Sequence, residues 1–143
     1  MINKKLGVII IAVLLVIAGI IAAIIAVVLT REGLAFNSGV FTNNRISNVS
    51  NDSWRVAPIR ANGSSRIDYT FNAANLAAMR VNSTNSEGKI TLKFIQGDNE
   101  KAVDITGDFN DSIDMSGFAS GKIRVRLEYD NARDVDCIIS WGD

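Results

Sequence analysis

The sequence predicts an all-β domain, an antiparallel β-sandwich, behind one N-terminal transmembrane helix. Three observations predict it. Residues Leu6 to Leu29 form an uninterrupted apolar run with no charge. From Ser53 onward, apolar side chains recur at every second position in short runs. Clusters of Gly, Asn, Asp and Ser break those runs at the spacing of about 8–12 residues typical of sandwiches and barrels. Strands return from sheet to sheet in such folds, so the expected topology is jelly-roll or immunoglobulin-like, with no feature choosing between the two.

The apolar run comes first. As a helix rising about 1.5 Å per residue it is roughly 36 Å long, enough to cross a hydrocarbon core of about 30 Å with some tilt. Lys4 and Lys5 precede it, whereas Arg31 and Glu32 follow it and cancel. The positive-inside bias therefore keeps residues 1–5 in the cytoplasm and sends the C-terminal domain out. A cleaved signal peptide has an apolar region of only about 7–15 residues and a small-residue cleavage site. Here Thr30-Arg31-Glu32-Gly33-Leu34-Ala35-Phe36 offers no such site. Lipid attachment is unsupported, because the one cysteine is Cys137 and residue 2 is Ile2. Ala18, Ala22 and Ala26, with Gly19 and Ala23, place small residues four apart, a spacing that lets membrane helices approach and self-associate.

Lys4-Lys5-Leu6-Gly7 followed by Val8 resembles the basic-then-glycine processing site of type IV pilin and archaellin precursors. The resemblance implies a mature start at Val8 and an apolar helix packed in a filament core. Two departures stand against it: the glutamate typical at the fifth position after the cut is Ala12, and no phenylalanine follows Gly7.

Outside the apolar run the composition bounds function. Leaving out Lys4 and Lys5, the chain carries 13 Lys+Arg against 15 Asp+Glu, a net of −2, without the basic stripe a nucleic-acid partner requires. One cysteine forms no internal disulfide. The chain has no histidine, so the commonest general base and metal ligand is missing. No motif gives a Ser or Cys nucleophile a base, and the protein is read as non-catalytic with no cofactor.

Residues 30–52 read as a stalk or linker, being rich in Gly, Asn and Ser, with an edge strand over Gly39–Asn43 as the alternative. Residues 53–143 read as the extracytoplasmic sandwich. Trp54, Val56 and Pro58 alternate with Arg55, Ala57 and Ile59, and Pro58, lacking an N–H, belongs at a strand edge or end. Asn62 to Ser65 reads as a turn, followed by Ile67, Tyr69 and Phe71 on one face. Asn72 to Ala78 suits one helical turn. A strand carries Met79, Val81 and Ser83. Asn85-Ser86-Glu87-Gly88 then reads as a reversal into a strand with Ile90, Leu92 and Phe94 on one face. Gly97 to Lys101 suits a hairpin loop leading to Val103, Ile105 and Phe109. Ser116 to Gly121 reads as a crossover loop. The last two strands, with Ile123, Val125, Leu127 and Tyr129, then Val135, Cys137, Ile139 and Trp141, read as a hairpin around Asp130–Asp134.

Over Tyr69 to Trp141, the segments Gly88-Lys89-Ile90-Thr91-Leu92-Lys93-Phe94, Ile113-Asp114-Met115-Ser116-Gly117-Phe118 and Gly121-Lys122-Ile123-Arg124-Val125-Arg126-Leu127 look like those of small exported bacterial proteins of unassigned function. In those proteins an anchor or lipid-modified N-terminus precedes a compact β-domain. These are packing and turn motifs, so the resemblance implies a fold and transfers no active site.

Four groups are candidate sites. Asp108, Asn110 and Ser112 have the one-three-five spacing of a calcium loop and Asp114 follows. However, Ile113 stands where an EF-hand has Gly, and Ala119 where it has Glu. Lys122, Arg124 and Arg126 line one strand face and could grip an anionic envelope polysaccharide, or pair with Asp and Glu across the sheet. Trp54 and Trp141 could stack on sugar rings, although Trp141 shares its face with Val135, Cys137 and Ile139 and reads as core. Finally, Asn48, Asn51, Asn62, Asn82 and Asn110 each head an Asn-x-Ser/Thr acceptor for N-glycosylation. Fourteen Asn with 18 Ser+Thr in 143 residues give about two such matches by chance, so five is an excess that turn-forming Asn and Ser must otherwise explain.

The function expected is a single-pass cell-membrane protein, N-terminus inside, displaying a binding or structural domain at the cell envelope. Its partners would be the bilayer, an envelope polysaccharide or another surface protein. The alternatives are a pilin-like filament subunit and a calcium- or carbohydrate-binding lectin-like module.

Overall fold

The computed structural model describes residues 35–142 together with four helical positions, Val13, Val16, Ile17 and Ile20. The chain forms two compact units, Met1–Arg31 and Glu32–Asp143. Lys4, Lys5, Gly7 and most of the apolar run lie outside the described residues. Among those described, no helix is long and apolar enough to cross a membrane. At Val13, Val16, Ile17 and Ile20 the chain is helical. Their exposures are 52%, 62%, 47% and 55%.

The second unit is all-β. Its strands are β1 (Ala35–Val49), β2 (Ser53–Phe71), β3 (Arg80–Thr84), β4 (Glu87–Gln96), β5 (Asn99–Asp104), β6 (Phe109–Ser112), β7 (Gly121–Arg133) and β8 (Asp136–Ser140). One short helix, α1 (Ala73–Ala77), links β2 to β3. The strands form one antiparallel sheet in the order β5-β4-β7-β2-β8-β3-β6, with β1 added on β2. Ala35–Val49, in the stretch expected to be a stalk or linker, is thus a full-length strand, in register from Ala35↔Ile67 to Val49↔Trp54.

The registers show how the sheet curls. Strand β7 runs antiparallel to β2 from Phe71↔Gly121 to Arg60↔Arg133. Strand β8 continues along the same side of β2 from Val56↔Cys137 to Ser53↔Ser140. So β7 and β8 are two parts of one course, where a hairpin was expected. The same holds for β3 and β4, which follow β8 and β7, and for β6 and β5 beyond them. Each course breaks at the same level, and the breaks form a crease. Across it Asp134 N donates to Ile59 O at 2.8 Å, Val135 N to Pro58 O at 3.0 Å and Ser86 N to Arg133 O at 3.0 Å. Asn85 Oδ1 accepts from Gly107 N at 2.6 Å, and Ser86 Oγ donates to Asp134 Oδ2 at 2.7 Å. Asp134 sits at φ 49° and Asn131 at φ 51°, left-handed conformations that bend a strand without reversing it.

Alternation then fills one side. Ile90, Leu92 and Phe94 of β4, Ile123, Val125, Leu127 and Tyr129 of β7, and Ile67 and Phe71 of β2 are buried. Beyond the crease Trp54, Val56, Val81, Cys137, Ile139 and Trp141 join them in one cluster. Each fully buried Val, Leu, Ile or Phe contributes about 1.5–3 kcal/mol. Helix α1 starts where expected because Asn72 caps it: Asn72 Oδ1 accepts from Asn75 N at 2.8 Å, and Asn75 Oδ1 accepts from Asn72 N at 3.1 Å.

Two serines are buried in this apolar side, and their partners differ. Ser65 Oγ lies 3.3 Å from the Tyr129 hydroxyl. Ser83 Oγ, opposite Cys137, makes no hydrogen bond of good geometry and has the Cys137 thiol, a weak partner, beside it. A buried hydroxyl without a good partner costs stability. Ser83→Ala is therefore expected to raise the unfolding free energy by about 1 kcal/mol. Ser65→Ala is expected to lower it. Denaturant midpoints of the two variants test this; equal losses for both would sink the argument.

Candidate functional site

Because one side of the curled sheet is core, function falls to the outer side, and the crease divides that side into two surfaces of different chemistry. On the β4–β7–β2 surface, register places Lys93 beside Arg126 and Arg126 beside Arg66. Like charges directly opposite are destabilising. The carboxylates set among them compensate. Lys93 Nζ lies 3.2 Å from Glu128 and 3.4 Å from Glu100, and both raise its pKa. Arg126 Nε lies 3.4 Å from Glu128, and Arg124 Nε 2.9 Å from Asp68. Of the stripe read as polymer-binding, Arg124 and Arg126 are thus paired with carboxylates of neighbouring positions. Lys122, opposite Thr70, makes no ion pair among the described residues. Lys93 and Arg66 join this surface only through register, which no linear motif reveals.

The surface on the other side of the crease carries fewer charges, with Arg55, Asp136 and Arg80 on the same face as a largely neutral row. One row runs across five strands: Asn48 in β1, Arg55 in β2, Ile138 in β8, Asn82 in β3 and Asn110 in β6. Asn48, Asn82 and Asn110 are all exposed. Side chains two apart in a strand share a face, so Thr84 stands beside Asn82 and Ser112 beside Asn110, both exposed. The charged members are largely paired: Arg55 grips Asp136 with Nε at 3.0 Å from Oδ1 and Nη2 at 2.7 Å from Oδ2.

The calcium-type residues do not form a loop. Asn110 and Ser112 lie in β6, paired with Asn82 and Arg80, so this stretch is extended where an EF-hand loop curls around its ion. Asp108 precedes the strand and is exposed. Asp114 follows it, and its carboxylate accepts from Ser116 N at 3.0 Å and Ser116 Oγ at 3.1 Å. Those bonds hold its pKa below the usual carboxylate range. Among the described residues no three His, Cys, Asp or Glu side chains gather around a point where an ion could sit.

Neither tryptophan forms a sugar platform. Trp54 and Trp141 are both 0% exposed. Trp54 Nε1 donates to Ser47 Oγ at 3.1 Å and Trp141 Nε1 to Asn51 O at 3.0 Å. Cys137 is buried as its position on the Trp141 face implied. Burial pushes its thiol up to about 12, which Ser83 only partly offsets, so the thiolate that nucleophilic chemistry needs is not formed at neutral pH.

Two clefts remain. One, of about 400 Å³, lies between α1 and the 113–120 loop, with Leu76, Ile113 and Met115 among its lining residues and Asp114 and Ser116 beside them. The other, of about 430 Å³, lies at the crease beside the Arg55–Asp136 pair, with the half-exposed Ile59 in its wall. In the first, Ser116 Oγ meets the Asp114 carboxylate at 3.1 Å within one exposed turn, and the lowered pKa of that carboxylate makes it a poor base.

No protein-family model matches the chain, and no curated protein matches it. Among solved structures, the periplasmic inhibitor of g-type lysozyme from Salmonella Typhimurium is similar at 14% identity and a TM-score of 0.39. That match covers 66% of this chain and 93% of the inhibitor chain.

Proposed function

We propose that this protein is a single-pass membrane protein that displays its curled β-domain outside the cell, in a non-catalytic binding or structural role at the envelope. The observation that carries this reading is the apolar segment around Val13, Val16, Ile17 and Ile20, helical and about half exposed at those four described positions. It lies within a run of 24 residues without a charge. Each such side chain loses about 1.5–3 kcal/mol if left in water instead of buried. A bilayer supplies that burial, and Lys4 and Lys5 orient the run with the N-terminus inside. The creased sheet is read as the two layers of a sandwich joined through β2, with the outer faces free to meet an envelope polymer or a surface protein. The same apolar run also suits a filament core, in which copies of the helix cover one another. N-terminal sequencing separates the two: a start at Val8 favours the filament and a start near Met1 the plain anchor.

Topology has a direct test, because the native thiol is silent. Cys137 is fully buried and protonated at neutral pH. Asp98 lies exposed in the turn between β4 and β5. Asp98→Cys is expected to react with a membrane-impermeant maleimide in intact cells, and the parent protein is not. Labelling of Asp98→Cys only after lysis would place the domain inside and end the display reading.

A further inference from the structure

We infer that Asn48, Asn82 and Asn110 are acceptors for N-linked glycans, which would cover the outer surface beyond the crease. The inference rests on the domain standing outside the cell.

The argument starts from where the five acceptor motifs fall. Asn and Ser crowd turns for conformational reasons, and that would explain the excess if all five lay in turns. Asn51 does lie in the β1–β2 turn, where Ser50, Asp52 and Ser53 bond to one another. Asn62, where a turn was expected, lies within β2 opposite Val40 of β1, beside the bulge between Ala61 and Gly63. Asn48, Asn82 and Asn110 also lie inside ladders, Asn48 opposite Arg55, Asn82 opposite both Ile138 and Asn110, and Asn110 in β6, and these three share one row. Strands disfavour Asn, so turn formation does not account for these three.

Nor does packing. All three are exposed, and their amides make no side-chain hydrogen bond among the described residues. A solvent-facing strand position is met as well by Thr, at better strand propensity. What the three share is the hydroxyl two residues on: Ser50, Thr84 and Ser112. In the extended β3 and β6, that spacing puts amide and hydroxyl on one face. Register then gathers three motifs, spread over more than sixty residues of sequence, into one row.

The chemistry is a glycosyl transfer from a polyprenyl phosphate- or pyrophosphate-linked glycan, catalysed by a transferase of the host envelope. The Asn Nδ2–C1 bond forms as the C1–O bond to the carrier breaks. The amide gives up one proton to a base of the transferase, and the carrier leaves as its phosphate or pyrophosphate. No electrons are exchanged with an outside reagent.

The test is glycopeptide mapping and intact mass of the full chain purified from its native membrane. The expected result is added hexose-containing mass on the peptides holding Asn48, Asn82 and Asn110. Asn82→Gln and Thr84→Val are each expected to remove the addition at residue 82, the second while keeping the amide. Asn110→Gln and Ser112→Ala are expected to do the same at 110. Thermal melts of the unmodified Asn82→Gln and Asn110→Gln proteins should match the parent, since these amides make no side-chain hydrogen bond among the described residues. A native mass equal to that of the bare polypeptide overturns the inference, as does sugar found only on Ser or Thr oxygens. If the Asp98→Cys label shows the domain outside and the mass is still bare, the glycan inference alone has failed. If the label shows it inside, the display reading has failed first.

Discussion

Trp141→Ala is expected to leave a large fraction of the domain unfolded in mild denaturant. Trp141 is the third residue from the end of the sequence, yet it ties together three separate parts of the chain. Its ring lies 4.8 Å from Tyr69 and meets Phe71 edge-on at 5.2 Å. Its Nε1 donates to Asn51 O at 3.0 Å and its backbone N to Asp52 O at 2.8 Å, which holds the β1–β2 turn. Its carbonyl accepts from Asn75 Nδ2 at 2.9 Å, which holds α1. Truncating a buried Trp costs about 3–5 kcal/mol. Against the roughly 5–15 kcal/mol that stabilises a typical domain, that is a large share. Trp141→Phe keeps an aromatic ring against Tyr69 and Phe71 and is expected to lose distinctly less. Urea titrations of the full chain in detergent, followed by far-UV circular dichroism, provide the comparison. A shift for Trp141→Ala worth less than about 1 kcal/mol would mean that the C-terminal strand end is not part of the core.

How much of this was legible in the sequence depends on what periodicity encodes. A period of two marks strands and their buried faces, so Ile90, Leu92, Phe94, Ile123, Val125, Leu127, Cys137, Ile139 and Trp141 all fell on the core side as the alternation implied. It does not say what happens between strands. Asn85–Gly88 and Asp130–Asp134 carry the residues of a reversal, and both were expected to reverse the chain. In the structure they bend it and let it run on. Left-handed Gly, Asn and Asp serve either purpose, and the choice is made by the partner strand alongside, which local sequence does not contain. The same limit left β1 half-seen: an edge strand over Gly39–Asn43 stood beside a linker as the alternative, and only β2 alongside shows the strand running from Ala35 to Val49. It also hid the candidate surfaces. Lys93, Arg126 and Arg66, like Asn48, Asn82 and Asn110, are neighbours only through register. Conversely, the acceptor motifs and the cation stripe were plain in the sequence, but whether each cation already had a carboxylate beside it was not.

The crease is the feature that most departs from expectation, and Gly88 is where it is most exposed to test. Gly88 sits at φ 76°, in the left-handed region. A Cβ there would lie 2.4 Å from both Asn131 O and Asp130 O. All three close atoms belong to the β7 backbone, so no side chain can swing away to relieve the contact. The substitution Gly88→Ala thus meets two costs. The left-handed conformation alone costs about 1–2 kcal/mol for a residue with a Cβ. The collision adds more, because β4 must lift off β7 just where both courses bend, and Ile90 opposite Tyr129 and Leu92 opposite Leu127 would lose packing. A total above about 4 kcal/mol is expected, in the range reached only by a few named mechanisms of destabilisation. Gly97 provides the control. It also has positive φ, 58°, but nothing lies within 4 Å of its would-be Cβ. Gly97→Ala is therefore expected to show the conformational cost alone. Denaturant midpoints of the two variants should differ several-fold in free energy. Equal losses would show that β4 does not press on β7 at residue 88, and a straight reversal at Asn85–Gly88 would again become the better account of the chain.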